Sequence, residues 1–353
     1  MNTSADAVVT MVGSLGLQVA SRFARSLRET GARCRLVMLM PANDASRQLA
    51  AALAEWHITP RFYETSKPPY AALKGNRAKL IRYWAALEYL QAYPAAAGRV
   101  LLADSRDVIF QRDPFTIAAD PARPLDIFLE DYFRDFKNSG INQGHVVPCF
   151  GADAVRRTFM SPPRPVSCSG VTMGSYVAVV RYLRLMWNEM RKPRYSEQCL
   201  QHDQAFHNYL LWTGRLSPVR AWTNEDGPVT TIGWPEHLYR DRFGRVLTRQ
   251  GELVHIVHQY DRRKRLVASL GKRYQLVEKI EPPPRTQAPV DTASAFASDG
   301  WIPGVGGGRS WSRRRSAAGA HAHAGAAGAS DAFSVDDSRS DGRIGVDADN
   351  LVP

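Results

Sequence analysis

Hydrophobic and polar positions along the first hundred residues follow two alternating patterns. Short, mostly apolar runs, typical of strands buried on both faces, occupy 8–12 and 35–40. After the first run, Val19, Phe23 and Leu27 recur at helical spacing and form one apolar face. Because strands and helices follow each other in turn, the pattern predicts an α/β fold with a mostly parallel central sheet flanked by helices.

One strand of this predicted sheet ends in acids. The segment 76–91 has the apolar stripe of a helix and leads into the apolar run 100–103, which stops at Asp104 and is followed by Asp107. In open α/β sheets, ligands bind beyond the carboxyl ends of the strands. Two carboxylates at that place predict a site for a cation, or for a phosphate-bearing ligand held through a cation. The alternative is a solvated turn.

Two cations stand in the first turn of the predicted helix 76–91. Arg77 and Lys79 lie where the helix dipole disfavours positive charge. Either both side chains are simply exposed, or they face a phosphate group that compensates them.

The middle of the chain contains residues that break regular structure. The stretch 133–150 holds Gly140, Gly144 and Pro148, and it follows a predicted strand at 125–129. We therefore predict a long loop over a site rather than a packed element.

Later segments add glycines and a polar helix start. A predicted strand at 167–176 carries Gly170 and Gly174, which indicates close approach by a ligand or by backbone, although core packing alone explains such glycines. Asp203 and Gln204 stand at the start of an apolar helical face, where Asp203 also suits the helix dipole.

Two histidines bracket a late strand-like run. Alternation puts His255 and His258 on opposite faces of that strand, so we do not expect them to bind one ion together. His258, at the strand end, is the better metal ligand of the two.

The formal net charge of +12 favours an acidic partner. The basic clusters at 262–265 and 313–315 lack the interleaved aromatic residues that read bases, so no nucleic-acid partner is predicted. An anionic membrane surface and a phosphorylated small molecule both stay open.

Cysteine usage and the N-terminus bear on the compartment. The four cysteines are widely scattered, lack metal-type spacing and are predicted to be reduced thiols. They are Cys34, Cys149, Cys168 and Cys199. The first residues lack the pattern of a secretion signal, and no run approaches the roughly 18 apolar residues of a membrane span. We therefore expect a cytoplasmic protein.

Composition changes near residue 282. Residues 283–353 are rich in Ala, Gly, Ser, Pro and Arg, and they cannot bury enough apolar surface to offset their chain entropy. We predict one folded domain over 1–282 and a disordered, low-complexity C-terminal tail.

The order of the motifs resembles that of the nucleotide-sugar glycosyltransferases of the GT-A fold, particularly the glycogenin-like and related bacterial and plant groups. The motifs are NRAKL, VLLADSRDVIFQRDPF, SGVTMG, HDQAFHNYL and VHIVHQYDR, and the resemblance covers about residues 7 to 265. It implies that the folded part is a single GT-A-like domain.

The resemblance also implies a cofactor and its ligands. A divalent cation, Mn²⁺ or Mg²⁺, would bridge the diphosphate of a nucleotide-sugar donor and be held by Asp104, Asp107 and His258. The glycine motif, with Gly170 and Gly174, would line the donor sugar.

The acidic motif departs from the family pattern. Family acids stand two residues apart, whereas here Arg106 occupies the second place and Asp107 follows it. Three arrangements are open: a bulged turn that presents both acids, a single carboxylate ligand, or Arg106 taking over part of the cation's charge beside the diphosphate. We expect the first.

The implied reaction moves a sugar from a nucleotide-diphosphate donor to an acceptor that is a glycan or lipid-linked. The cation, with Arg77 and Lys79 nearby, would stabilise the departing diphosphate. An inverting enzyme also needs a base, for which the candidates are Asp203, Glu130 and Asp131. Gln204 would face the sugar or the acceptor beside Asp203.

Two further expectations concern the donor base and the membrane. Thr10 and Gly13, at the end of the first strand, are the candidates for contact with the nucleotide base. A lipid-linked acceptor would bring the protein to the inner face of a membrane.

Two other function classes stay open. A non-catalytic module for nucleotide sugars or glycans would keep the sheet while its altered acidic spacing loses the metal. A haloacid-dehalogenase-type phosphatase also uses a strand-end Asp, but its second acid belongs at the place of Arg106.

Overall fold

The computed structural model describes residues 5–73, 78–94, 98–130, 134–233 and 238–273. The predicted domain boundary at 282, the predicted tail 283–353, Arg77 and Asp131 lie outside these ranges. The strands of the described residues are β1 (Ala7–Met11), β2 (Arg35–Pro41), β3 (Ile58–Tyr63), β4 (Arg99–Ala103), β5 (Val108–Phe110), β6 (Leu125–Leu129), β7 (Ser167–Ser175), β8 (Arg220–Trp222), β9 (Val229–Thr231) and β10 (Ile256–His258). The α-helices are α1 (Leu17–Glu29), α2 (Asp44–Ala52), α3 (Ala78–Ala92), α4 (Gly140–Phe150), α5 (Ala152–Phe159), α6 (Tyr176–Met190), α7 (Glu197–Leu200), α8 (Asp203–Trp212) and α9 (Lys264–Arg273).

Seven strands form the central sheet in the order β3-β2-β1-β4-β7-β6-β8. Four of the neighbouring pairs are parallel, and β7 runs antiparallel to both β4 and β6. The prediction of a mostly parallel sheet flanked by helices is therefore confirmed. A smaller sheet has the order β5-β10-β9.

The strand order reverses direction beside β1. The chain moves outward from β1 to β2 and β3, and then returns to place β4 on the other side of β1. Such a topological switch point leaves a crevice at the carboxyl ends of the two strands, because the following segments leave in opposite directions. The acids that follow β4 lie at this crevice.

Helices cover both faces of the sheet because side chains alternate along each buried strand. In β1, Val8 packs with Phe23 and Leu27 of α1, whereas Val9 belongs to the core on the other face with residues of α3, α6 and α8, such as Leu183. All five of these side chains are 2 % exposed or less.

The predicted long loop at 133–150 is wrong over its second half. There the chain forms α4, despite Pro148 inside the helix, and α4 ends at Gly151, whose φ is +77°. Its Val146 packs with Phe159 of α5 in a separate buried cluster. Burial of these side chains outweighs the weak helix propensity of the segment.

The prediction that all cysteines are reduced is also corrected. Cys149, in the last turn of α4, forms a disulfide with Cys199 of α7. Cys34 and Cys168 are free and buried. A separation of 50 residues carries no local signal, because the pairing depends on how two distant helices pack.

The disulfide should contribute measurably to stability. It closes a loop of 50 residues, and the double variant Cys149→Ala/Cys199→Ala should lose about 2 to 4 kcal/mol of unfolding free energy because its unfolded chain is less constrained. Urea denaturation measures this change. Reductant should lower the stability of the wild type by a similar amount and leave the variant unaffected; an unresponsive wild type would contradict the pairing.

A buried carboxylate organises the end of α6. Glu189 is fully buried and accepts hydrogen bonds from Lys192, Arg194, Tyr195 and Arg215. Burial alone raises the pKa of Glu189, but the hydrogen bonds from Arg215, Lys192 and Tyr195 outweigh burial and lower this pKa from its ordinary 4.5 to about 2.

This lowered pKa makes the network sensitive to acid. A carboxylate with a depressed folded-state pKa stabilises the fold above its unfolded pKa and loses that contribution, here at most about 3 kcal/mol, as the pH falls toward the folded value. The unfolding free energy of Glu189→Gln should therefore fall less steeply than that of the wild type between about pH 5 and 3. The exposed control Glu55→Gln should keep the wild-type slope, and equal slopes for all three proteins would refute the role of Glu189.

Over the described ranges, none of the helices combines the length and the apolar character that crossing a bilayer requires.

Candidate functional site

A cleft of about 630 Å³ opens at the carboxyl ends of β1 and β4. The segments 11–15, after β1, and 104–107, after β4, line one part of it. Side chains from α3, α4, β7, the start of α8 and the segment after β10 line the remainder. The topological switch point and the acidic strand end thus belong to one site.

Three predicted metal ligands meet in this cleft. Asp104, Asp107 and His258 each place one ligand atom within 4.8 Å of the other two. A tight turn joins the end of β4 to β5, so both acids face the same space. The antiparallel register of β5 and β10 pairs His258 with Val108, the neighbour of Asp107. This geometry corresponds to the expected turn that presents both acids.

The surroundings of this cluster fit a divalent cation. The Oδ1 atom of Asp107 is buried and has no hydrogen-bond partner among the described residues. A Cβ atom at Gly170 would lie 2.4 Å from Nε2 of His258 and 2.9 Å from Oδ2 of Asp104, so only glycine leaves this space open. Thr231 lies 3.3 Å from the other ring nitrogen of His258 and orients the imidazole. Carboxylate oxygens with one imidazole suit Mn²⁺ or a similar ion.

The structure adds Arg82, which the sequence did not single out. Its guanidinium donates to Oδ1 of Asp104 at 2.7 Å and to the carbonyl of Ser169 at 2.7 Å, and its Nε lies 3.3 Å from Oδ2 of Asp203. Arg82 stands three residues after Lys79 on α3, and side chains at that spacing share a helix face. The sequence did carry a signal for Arg82, because it is a third cation one helical turn after the predicted pair Arg77 and Lys79.

Asp203 and Gln204 both line the cleft at the start of α8. Burial raises the pKa of Asp203, but the cations of Arg82 and Lys79 outweigh burial and hold this pKa below its ordinary value. A carboxylate so stabilised is a poor proton acceptor. Gln204 donates to Glu130 at 3.2 Å, and burial raises the pKa of that glutamate.

Arg106 lies at the rim of the cleft. Its side chain is 62 % exposed, with Nη2 3.7 Å from Asp107 and Nε 3.4 Å from Asp261. Lys79 lines the cleft as well, with Nζ 3.6 Å from Asp203. The side chains of Arg106 and Lys79 are therefore near the acids and retain solvent-exposed surface.

The two predicted base-contacting residues differ in position. Gly13 lines the cleft, and its φ of +58° is a conformation that favours glycine. Thr10 is buried, and its hydroxyl donates to the carbonyl of Ala103 at 2.7 Å. That hydrogen bond joins β1 to β4, which is a structural role.

Gly174 does not join the site. It pairs with Val100 at the start of β4, at the opposite end of the strand from the acids. A Cβ atom there would lie 2.5 Å from the carbonyl oxygen of Pro124. Close packing between strands accounts for this glycine, so its assignment to the donor sugar is not supported by its location.

No protein-family model matches this chain, and no curated protein matches it. Among solved structures, it is similar to the galactosyltransferase LgtC in complex with donor and acceptor sugar analogues, at 17 % identity over 75 % of this chain and 95 % of that one, with a TM-score of 0.45. An active-site mutant of LgtC gives 16 % identity over the same shares, with a TM-score of 0.46.

The apo form of the glycosyltransferase GlyE from Streptococcus pneumoniae TIGR4 is a further similar structure. It shares 13 % identity over 65 % of this chain, which spans 47 % of GlyE, and the TM-score is 0.39. LgtC and GlyE are both glycosyltransferases by name, which is the kind of enzyme that the motif order resembles.

The glycine cradle predicts a specific loss of metal binding. In Gly170→Ala the added Cβ displaces the His258 imidazole, so the affinity for Mn²⁺ should fall by at least about tenfold. Isothermal titration of the two proteins with Mn²⁺ measures it. The control Gly16→Ala places its Cβ where no heavy atom lies within 4 Å and should bind like the wild type; unchanged affinity in Gly170→Ala would show that His258 is not a ligand.

Proposed function

We propose that this protein is a divalent-cation-dependent glycosyltransferase that transfers a sugar from a nucleoside-diphosphate donor to an acceptor hydroxyl. The convergence of Asp104, Asp107 and His258 with Arg82 at the switch point of the sheet carries this proposal. Clustered acids next to cations suit a ligand that has a diphosphate and brings its own cation.

The proposed cation site uses the residues that already lie together. Asp104, Asp107 and His258 would hold the ion, and a bound divalent ion supplies positive charge to a diphosphate as that group departs. Enclosure in the cleft raises the pKa of Asp104, Arg82 opposes that rise, and the Asp107 carboxylate adds to it. Neighbouring carboxylates of this kind are stabilised by added positive charge.

Cations of the protein itself surround the same space. Lys79, Arg82, Arg106 and Arg262 line the cleft. Guanidinium and ammonium groups can donate hydrogen bonds to phosphate oxygens. These hydrogen bonds become stronger as negative charge develops on the leaving group. We assign the diphosphate to this cation-rich part of the cleft and the nucleoside to the segment 11–15 after β1.

The transfer replaces one bond at the anomeric carbon with another. The acceptor oxygen bonds to the anomeric carbon, the bond from that carbon to the diphosphate oxygen breaks, and its electron pair leaves with the nucleoside diphosphate. The hydroxyl proton ends on a phosphate oxygen or on a carboxylate of the site. Because Asp203 is held charged by Arg82 and Lys79, we assign it to hydrogen bonds from sugar hydroxyls rather than to proton removal.

Gln204 supports the same region. Its side-chain amide nitrogen donates hydrogen bonds to Glu130 and Asn142. The side-chain oxygen is the remaining acceptor for a sugar hydroxyl, which is the role we propose for it.

Hydrolysis of a panel of nucleotide sugars with Mn²⁺ tests this function. The wild type should hydrolyse at least one donor, chelation with EDTA should abolish turnover, and Asp107→Asn should lower the rate by about 100-fold or more because the charge compensation at the leaving group is lost. Asp153→Asn, which changes an exposed acid of α5, is the matched control and should behave as the wild type.

Thermal stability distinguishes the alternatives. UDP or GDP with Mn²⁺ should raise the melting temperature of the wild type and not that of Asp107→Asn, since only the folded site binds the pair. Stabilisation without hydrolysis of any donor would identify a non-catalytic binding module. Absence of both responses with every divalent ion would overturn the proposal.

A further inference from the structure

A pair of stacked histidines forms a second, separate feature of the cleft. The rings of His145, from α4, and His202, directly before α8, lie parallel within 17° with centroids 4.2 Å apart. Both side chains line the cleft. Neither histidine belongs to the cluster of Asp104, Asp107 and His258, and neither was a candidate from the sequence.

The pair stands on the Asp203 side of the cleft. Arg82 spans from Asp104 to Asp203, and the second oxygen of Asp203 faces Lys79. His202 is the neighbour of Asp203 in sequence, whereas the cluster of Asp104, Asp107 and His258 lies on the other side of Arg82. A donor with its diphosphate at that cluster and its sugar at Asp203 would therefore have the two histidines on the far side of its sugar.

Both rings are suited to neutral hydroxyl groups. Burial lowers the pKa of His145 and of His202, and Lys79 lowers both further, so each ring is neutral at pH 7. A neutral imidazole offers one donor and one acceptor, and a sugar hydroxyl needs both. A phosphate would instead favour charged donors.

One nitrogen of the pair also has no hydrogen-bond partner among the described residues. The Nδ1 atom of His145 is buried and no described residue hydrogen-bonds to it. Buried polar atoms are nearly always satisfied by protein, water or ligand. His145 thus has one ring nitrogen that a water or a bound molecule can complete.

The chain holds the pair rigidly in place. Cys149 follows His145 by one helical turn, Cys199 precedes His202 by three residues, and the two cysteines are joined by the disulfide. The segments that carry the rings are therefore cross-linked next to the site. A site fixed before binding loses less entropy when its ligand arrives.

We propose that His145 and His202 form the acceptor side of the cleft and hydrogen-bond hydroxyl groups of a carbohydrate acceptor. This inference rests on the proposed glycosyltransferase function and assigns the acceptor by class. In this assignment the two rings bind the acceptor. Asp104, Asp107, His258 and the arginines of the cleft bind the donor with its cation.

Two competing acceptors test the assignment. With a donor that the wild type hydrolyses, turnover is measured with water alone and with the methyl glycosides of glucose, galactose, mannose and N-acetylglucosamine. In His145→Ala and His202→Ala the ratio of transfer to the best glycoside over donor hydrolysis should fall by about tenfold, chiefly through a higher KM for the glycoside. His202→Gln, which retains a donor and an acceptor, should recover part of the loss.

The controls separate the two proposals. His57→Asn changes an exposed histidine in a left-handed turn that asparagine tolerates, and it should leave both reactions unchanged. Equal loss of hydrolysis and transfer in the histidine variants would overturn the acceptor role, as would a wild type that hydrolyses donor but glycosylates none of the four glycosides; the proposed function survives either result. A wild type that hydrolyses no donor overturns both proposals.

Discussion

The guanidinium of Arg82 between two carboxylates is the interaction on which the site depends. Asp104, Asp107 and Asp203 face one cleft, where neighbouring carboxylates repel one another and enclosure disfavours the charges of Asp104 and Asp203. Arg82 contacts Asp104 and Asp203 and offsets both costs for them. Asp107 keeps a buried oxygen without a hydrogen-bond partner in the described chain, which is where a cation would complete the balance.

The cleft divides by the type of charge that it offers. Acids and cations lie together near the end of β4, an arrangement that suits a diphosphate with its cation. Neutral imidazoles at His145 and His202 line another part, where uncharged hydroxyl groups can both donate and accept. Asp203 stands between the two parts, next in sequence to His202 and in contact with Arg82. The proposed donor and the proposed acceptor sugar differ in the same way, since only the donor carries a diphosphate.

Local patterns predicted much of the fold and part of the cleft. The apolar runs that became β1 and β4, and the alternation with helices, indicated a mostly parallel sheet because burial on both faces leaves a strong periodic signal. The abrupt stop of β4 at Asp104 indicated where the candidate site lies, because the carboxyl ends of parallel strands meet at one edge of the sheet and ligands bind there. The grouping of Asp107 and His258 came from the motif order.

The sequence by itself therefore determined several strands of the central sheet, the helices α1, α3 and α8, and the acidic strand end, since neighbouring residues specify these. Only the tertiary structure decided that Arg82 bridges two acids, that His145 reaches the cleft from a helix containing proline, and that Cys149 pairs with Cys199. Each of those contacts joins residues far apart in the chain. Their partners are set by strand register and helix packing, which no local pattern encodes.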